Sequence, residues 1–272
     1  GDIGSLISDA KAYNPEDDWS IGSMSYMDSF NSGLALIIAI TAAEMFSQGN
    51  WQRAWASEDD EALKKGALLA AGLVLPLVFV MGVLGTVVAG QGAVDDPSAA
   101  FFNLIEDAHI LLIAAFIVLG IALVCSSVDT LQNAIVASIS RDLADGNMDL
   151  KQARIVTLAM IPVAIYLAST MDALSVFAIF LFADLLATAT VLPVFLTLWD
   201  RIDSRAALAG AICGLLSVVV YGTVTADLST GIDYLTSPTN EYGLANLEVF
   251  LSALIGSGVV TIAGSEILAQ NE

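Results

Sequence analysis

The positively charged residues of this chain are confined to three short loops. Eight of the nine Lys and Arg residues lie there, namely Arg53, Lys64 and Lys65; Arg141, Lys151 and Arg154; Arg201 and Arg205. Long apolar segments separate these loops, and every second connection carries no positive charge. Short loops rich in Lys and Arg stay on the cytoplasmic side of a membrane. The pattern therefore predicts a multi-pass membrane protein and the orientation of each of its helices.

Seven apolar segments are long enough to cross a bilayer, whose core requires roughly 20 residues per helix. We place them at about 29–48, 63–90, 108–140, 153–169, 173–199, 206–226 and 247–268. Strands of a membrane β-barrel would instead alternate over about ten residues. The predicted fold is an all-α polytopic membrane domain at 29–268. Residues 1–28 are expected to form an extracellular loop, and the C-terminus is expected in the cytoplasm.

The charge balance limits the possible partners. Only 14% of the residues are charged and the net charge is −20, whereas a soluble domain carries roughly 25% charged residues. So acidic a surface disfavours nucleic acid and anionic lipid as partners. The acidity has two possible interpretations. It reflects adaptation to a high-salt cell, which the composition favours, or neutral sequence drift in solvated loops.

Three carboxylates fall inside the apolar segments: Glu44, Asp129 and Asp184. An ionised side chain at mid-membrane costs about 2.5–3.5 kcal/mol on insertion scales, and no Lys or Arg lies in the same segments. Each carboxylate is therefore protonated, hydrated in a cavity, close to a cation, or hydrogen-bonded as a neutral acid. Together, the three favour a shared polar pathway.

Helical spacing places further polar residues beside these carboxylates. Residues three, four or seven apart share a helix face, which groups Thr41, Glu44 and Gln48; Ser126, Asp129 and Asn133; and Asp184 and Thr188. The first, third and fifth predicted helices thus each present a polar stripe, as three walls of one cavity would.

The strongest local cluster is the run CSSVDT at 125–130. Its hydroxyls, helix carbonyls and carboxylate suit a hard monovalent cation. Alternatively, Ser126 and Ser127 simply bond back to carbonyls of their own helix. No cluster of ligands suggests a transition metal. The single histidine, His109, supports no nucleophile–base pair, so an enzyme is not expected.

Three motifs resemble the C-terminal part of the sodium:solute symporter family. The sequence SQGNWQRAWAS at 47–57 resembles the segment after the family's sixth core helix. The sequence SSVDTLQNA at 126–134, followed by SRD at 140–142, resembles its eighth core helix. LTLWDR at 196–201 with AALAG at 206–210 resembles a later junction. The resemblance covers roughly 40–215, and 182–193 is closer to the urea-type branch.

The resemblance implies an inverted-repeat fold of five plus five helices. The first five predicted helices would then form the second repeat. The first repeat is absent, so the chain is expected to be a C-terminal fragment or one product of a split gene. The implied Na⁺ ligands are Leu123, Ser126, Ser127 and Asp129, and the implied substrate-lining residues are Glu44, Gln48, Asp184 and Thr188.

The expected function is Na⁺-coupled symport of a small organic solute across the plasma membrane. The expected partners are that solute, the lipid bilayer and the missing N-terminal repeat. A cation-conducting or solute channel is the alternative, since polar stripes also line pores. The substrate, the Na⁺ stoichiometry and the oligomeric state do not follow from the sequence.

Overall fold

The computed structural model describes residues 27–90, 108–170 and 175–270, together with isolated positions outside these ranges. This part of the chain is α-helical and contains an isolated bridge between Thr239 and Ala245 but no strand. Seven of the described helices are long and apolar enough to cross a membrane. The prediction of an all-α polytopic membrane protein is therefore confirmed.

The described residues form nine α-helices. They are α1 (Met27–Phe46), α2 (Gln48–Trp55), α3 (Asp60–Gly90), α4 (Ile110–Ser138), α5 (Leu150–Thr170), α6 (Val176–Leu196), α7 (Ser204–Thr225), α8 (Leu228–Asp233) and α9 (Leu247–Ala269). A short π-helical segment, Ile139–Leu143, extends α4. The short helices α2 and α8 lie between the spans.

The predicted span boundaries differ from the structure by a few residues, and two of these differences concern the candidate site. The first span ends at Phe46, not at residue 48, and a new helix begins at Gln48. The fifth span begins at Val176, and residues 171–174, where we predicted its start, are not described. The predicted outer loop at 1–28 also lies almost wholly outside the described residues, so it stays a prediction.

Side-chain caps begin several of the helices. Ser175 accepts a hydrogen bond from the Ala178 N–H at 3.1 Å. The Asp203 carboxylate accepts one from the Arg205 N–H at 2.7 Å. Asn246 accepts from the N–H of Val249 at 3.2 Å. Such caps satisfy backbone donors that have no partner within the first turn, which explains where α6, α7 and α9 begin.

The chain divides into two compact units. The packed unit comprises residues 24–50 and 168–272, and within it α1, α6, α7 and α9 pack together. Its core consists of apolar and small side chains from all four helices and of Ala245, which precedes α9. The helical members are Ala35, Ala39, Leu181, Leu185, Ala189, Val218, Val249, Phe250 and Ala253. Burial of these residues fixes the faces of α1 and α6 that carry Glu44 and Asp184.

Glycines bring α7 and α9 unusually close. A Cβ added to Gly214 would lie 2.8 Å from the Cβ of Ser257 and 3.0 Å from the Ala253 carbonyl oxygen. Only a residue without a side chain fits there. Small residues of this kind let membrane helices approach so that dispersion contacts and weak hydrogen bonds hold them.

The exposed unit comprises residues 1–23 and 51–167 and contains α3, α4 and most of α5. Nearly all described side chains of these helices are exposed, and the buried ones are Val87, Val88 and Ala134. Exposed apolar faces of this extent require lipid or further protein to cover them.

Candidate functional site

Asp184 is the one buried carboxylate among the described spans. It lies on α6 with 3% of its surface exposed. Its Oδ2 atom is buried and has no hydrogen-bond partner among the described residues. A buried carboxylate without a donor is costly unless a proton or a cation accompanies it. The packed unit therefore contains a charge site whose partner is not supplied by the described part of the chain.

Thr188 lies one turn further along α6 and is fully buried. Its hydroxyl donates a hydrogen bond to the Asp184 backbone carbonyl at 2.8 Å. The hydroxyl proton is thus engaged, and only the oxygen lone pairs of Thr188 remain for a ligand. Sequence spacing correctly places Thr188 on the same helix face as Asp184. It does not predict this hydrogen bond.

Glu44 lies on α1 and is exposed. It is close enough to Asp184 to interact with it electrostatically. The Asn50 side-chain amide donates to the Glu44 carboxylate, and it also lies 3.2 Å from the Glu44 backbone carbonyl. Among the described residues, the Asn50 amide contacts Glu44 alone and is neutral, so the two carboxylates leave an excess of negative charge, which favours a cation near them.

Gln48 does not continue the helix face of Glu44. The chain breaks at Ser47, and Gln48 is the first residue of α2. In a continuing helix the Glu44 carbonyl would accept from the Gln48 N–H, but here it accepts from the Ser47 N–H at 3.3 Å and from the Asn50 side-chain amide at 3.2 Å. The expected stripe of Thr41, Glu44 and Gln48 is therefore interrupted, and Gln48 is exposed.

An apolar pocket of about 280 Å³ lies between α1, α6 and α9. Its lining consists of Ile37, Ile38, Thr41, Ala42, Met45, Val191, Leu192, Phe195 and Leu254. On α6, Val191 and Leu192 follow Asp184 by seven and eight residues, which is two helical turns on the same face. The packed unit thus places an acidic position and an apolar pocket along one side of α6.

The predicted cation ligands lie on α4 in the exposed unit. Ser126, Ser127 and Asp129 are all exposed there, as is Leu123. Among the described residues, neither serine hydroxyl bonds back to a helix carbonyl, whereas the Thr130 hydroxyl does so to Ser126 at 3.0 Å. The two serine hydroxyls and the Asp129 carboxylate are oxygen donors with free lone pairs. Their chemistry fits Na⁺, although α4 alone supplies only part of a coordination shell.

Arg53 is a neighbour of this cluster that sequence reasoning did not find. Its Nη2 atom donates a hydrogen bond to the Thr130 hydroxyl oxygen at 2.9 Å. The two residues are 77 positions apart, so no local pattern could pair them. The motif that contains Arg53 resembles a segment of the symporter family, but only the fold shows what the guanidinium contacts.

The polar stripes of α1 and α6 lie within one unit, and that of α4 lies within the other. A single cavity walled by all three therefore stays a prediction. His109 is placed at the start of α4, where its ring nitrogen accepts from the Leu111 N–H at 3.3 Å. His109 therefore caps the helix.

Comparison with known proteins gives one relationship. A spermidine transporter of Candida albicans is 31% identical over 198 residues, which cover 70% of this chain and 38% of the relative. The chain thus spans well under half the length of that transporter. No family model and no solved structure matches. The chain is a multi-pass membrane protein with sequence similarity to a transporter.

Proposed function

We propose that this chain belongs to a secondary transporter that carries a small organic cation across the plasma membrane, coupled to Na⁺. The observation that carries the proposal is the buried Asp184 carboxylate, which interacts electrostatically with Glu44 and whose Oδ2 atom has no hydrogen-bond partner among the described residues. Charged groups inside membrane spans are costly and mark the path of a substrate or ion. A transported cation would offset the cost of burying Asp184.

The substrate class we propose is an aliphatic amine with more than one ammonium group. The relative is described as a spermidine transporter, and spermidine is a chain of methylene groups between ammonium groups. An ammonium ion suits the acidic position at Asp184 and Glu44. The methylene groups suit the apolar pocket two turns further along α6, at a distance of roughly 10 Å along the helix axis.

Na⁺ is proposed to bind at Ser126 and Ser127, with the Asp129 carboxylate and the Leu123 carbonyl nearby. The observation in support is that neither hydroxyl is used by its own helix. Na⁺ would supply the driving force through its electrochemical gradient. The remaining ligands are expected from the first repeat of the fold, as the symporter resemblance implies.

The orientation follows from the basic loops. With Arg53, Arg141 and Arg201 in the cytoplasm, α1 runs inward and the C-terminus is cytoplasmic. The Trp199 ring packs under the Arg201 guanidinium at 5.7 Å, and aromatic residues of this kind concentrate at membrane interfaces. We propose this topology for the plasma membrane.

The test is uptake of radiolabelled spermidine by proteoliposomes that contain the full-length protein and an inward Na⁺ gradient. We expect Asp184→Asn to raise the KM for spermidine by at least tenfold, since one charged contact is lost (about 1.4 kcal/mol per factor of ten). Glu44→Gln should raise it less, because Glu44 is exposed. Glu58→Gln, an exposed carboxylate outside the spans, is the matched control and should leave the KM unchanged.

Two results would overturn the proposal. If Asp184→Asn transports spermidine like the wild type, Asp184 does not bind the substrate. If uptake never exceeds the external concentration and ignores the Na⁺ gradient, the protein is a channel rather than a symporter. A parallel series with amino acids and urea would show whether the substrate is a different solute.

A further inference from the structure

Two linked hydrogen bonds join α2 to the middle of α4. Arg53 Nη2 donates to the Thr130 hydroxyl oxygen at 2.9 Å, and that hydroxyl donates to the Ser126 carbonyl at 3.0 Å. All three residues belong to the exposed unit. The guanidinium is therefore connected, through a single hydroxyl, to the helix turn that carries the proposed Na⁺ ligands.

The positive charge of Arg53 lies beside the polar stripe of α4. Thr130 follows Asp129 directly and is four residues from Ser126, so it shares the helix face of that serine. Arg53 forms no ion pair among the described residues. Asp129 likewise has neither an ion pair nor a hydrogen bond in that part of the chain. Among the contacts of the described residues, the Arg53 guanidinium is thus the full positive charge nearest to the polar stripe of α4.

A guanidinium and a sodium ion would repel each other strongly at this spacing. Side chains one helical turn apart are about 5–6 Å from each other. A cation held at Ser126 would lie about one helical turn from the Thr130 hydroxyl that the guanidinium contacts. Like charges this close repel each other, and the repulsion is stronger where water is partly excluded. The two cations therefore compete for the stripe.

We propose that Arg53 is a built-in competitor of Na⁺ and so determines the Na⁺ affinity of the transporter. The guanidinium occupies the Thr130 end of the stripe when Na⁺ is absent and leaves it when Na⁺ binds. Because Arg53 lies on α2, Na⁺ binding then releases α2 from α4. This inference rests on the proposed Na⁺ site at Ser126 and Ser127 and adds a residue that sets its affinity.

Cys125 offers a readout that does not depend on transport. It is an exposed free thiol that directly precedes Ser126. In a Cys213→Ala background of the full-length protein, the rate of maleimide labelling at Cys125 is measured against Na⁺ concentration, with K⁺ keeping the ionic strength constant. The concentration of Na⁺ that gives half of the protection reports the affinity of the site.

We expect Arg53→Gln to lower the half-protecting Na⁺ concentration by about tenfold, because the competing charge is removed. Arg53→Lys keeps the charge and should stay within about threefold of the wild type. Thr130→Val removes only the hydroxyl that holds the guanidinium, and it should lower the half-protecting concentration by a few-fold. Arg141→Gln, also an exposed basic residue near the end of α4, is the matched control and should have no effect.

The outcomes separate this inference from the proposed function. If Ser126→Ala raises the half-protecting concentration but Arg53→Gln and Thr130→Val leave it unchanged, the Na⁺ site stands and the competition is refuted. If Na⁺ protects Cys125 in no variant, both the Na⁺ site and the competitor role are refuted. Should Arg53→Gln fail to fold, Thr130→Val and Arg53→Lys decide the question in the same assay.

Discussion

The packed and exposed units are built from the same residue types but bury them differently. In the packed unit, Gly210 and Gly214 of α7 lie against the backbone of α9. In the exposed unit, a Cβ added to Gly66, Gly72 or Gly82 of α3 would meet no atom of a neighbouring element within 4 Å among the described residues. Both sets come from apolar segments that qualify as membrane spans. The comparison teaches that composition identifies a span but not its packed face.

The largest effect is expected from adding a methyl group at the α7–α9 contact. A Cβ on Gly210 would clash with the Thr261 side chain and lie 2.7 Å from the Ser257 carbonyl oxygen. Gly210→Ala should therefore destabilise the protein by about 1–3 kcal/mol, as overpacking does. Thermal unfolding in detergent, followed by size-exclusion chromatography, measures the change.

The matched variant in the exposed unit is Gly72→Ala. Open space surrounds Gly72, and alanine favours a helix by up to about 1 kcal/mol over glycine. We expect unchanged or slightly higher stability. Comparable destabilisation by both variants would contradict the difference between the two units, and it would show that α3 is packed as tightly as α7 in the intact protein.

The second prediction compares the carboxylates of Asp184 and Asp129. Asp184→Leu removes a buried oxygen that has no hydrogen-bond partner among the described residues, so it should stabilise the protein by about 1–3 kcal/mol while abolishing spermidine uptake. Asp129→Leu removes an exposed carboxylate and should change stability by less than about 0.5 kcal/mol. Thermal unfolding and uptake are measured on the same preparations. A destabilised Asp184→Leu protein would show that the carboxylate has a structural partner.

The third prediction concerns hydroxyl groups. Ser217 on α7 lies 2.9 Å from the Ser252 carbonyl of α9, as well as near carbonyls of its own helix. Ser217→Ala should cost about 0.6 kcal/mol, the average for hydrogen bonds between membrane helices. Among the described residues, Thr86 on α3 donates only to the Gly82 carbonyl of its own helix, at 2.9 Å, so Thr86→Ala should be neutral. Equal losses of stability in Ser217→Ala and Thr86→Ala would mean that the hydrogen bond between α7 and α9 adds no stability.

The smallest effect is expected at a helix cap. The Asp227 carboxylate accepts from the Thr230 N–H at 2.8 Å and from its hydroxyl at 2.9 Å. These hydrogen bonds hold the pKa of Asp227 below its ordinary value of 3.8, and the bond from the Thr230 backbone N–H has the largest effect. Because the folded pKa is the lower one, the cap stabilises α8 above pH 3.8 and is lost as the pH falls through the lowered pKa.

Hydrogen exchange of the α8 amides against pH would measure this loss. Asp227→Asn should keep the cap and remove its pH dependence. The exposed unit uses equivalent chemistry at the start of α5, where the Asp149 carboxylate accepts from the Gln152 N–H at 2.7 Å. Asp149→Ala should therefore speed hydrogen exchange only near the start of α5. Asp227→Ala should likewise speed it only in α8. A global loss of stability in either variant would contradict a purely local role.

The number and nature of the spans could be read from the sequence, because membrane crossing depends only on length and hydropathy. The pairing of Asp184 with Thr188 on one face also follows from helical spacing, and the structure keeps it. The break at Ser47 could not be read, since it depends on the Asn50 side chain folding back onto Glu44.

Other features were decided only by tertiary structure. Asp129 and Asp184 look equivalent in the sequence, since each is a lone carboxylate in an apolar segment. Packing by α1, α7 and α9 buries Asp184, while Asp129 stays exposed on α4. The contact of Arg53 with Thr130 likewise joins residues that lie far apart in the chain. The sequence determined which segments can enter a membrane, because hydropathy is local; the fold alone decided which polar groups lose water and which neighbours they gain, because burial depends on residues remote in the chain.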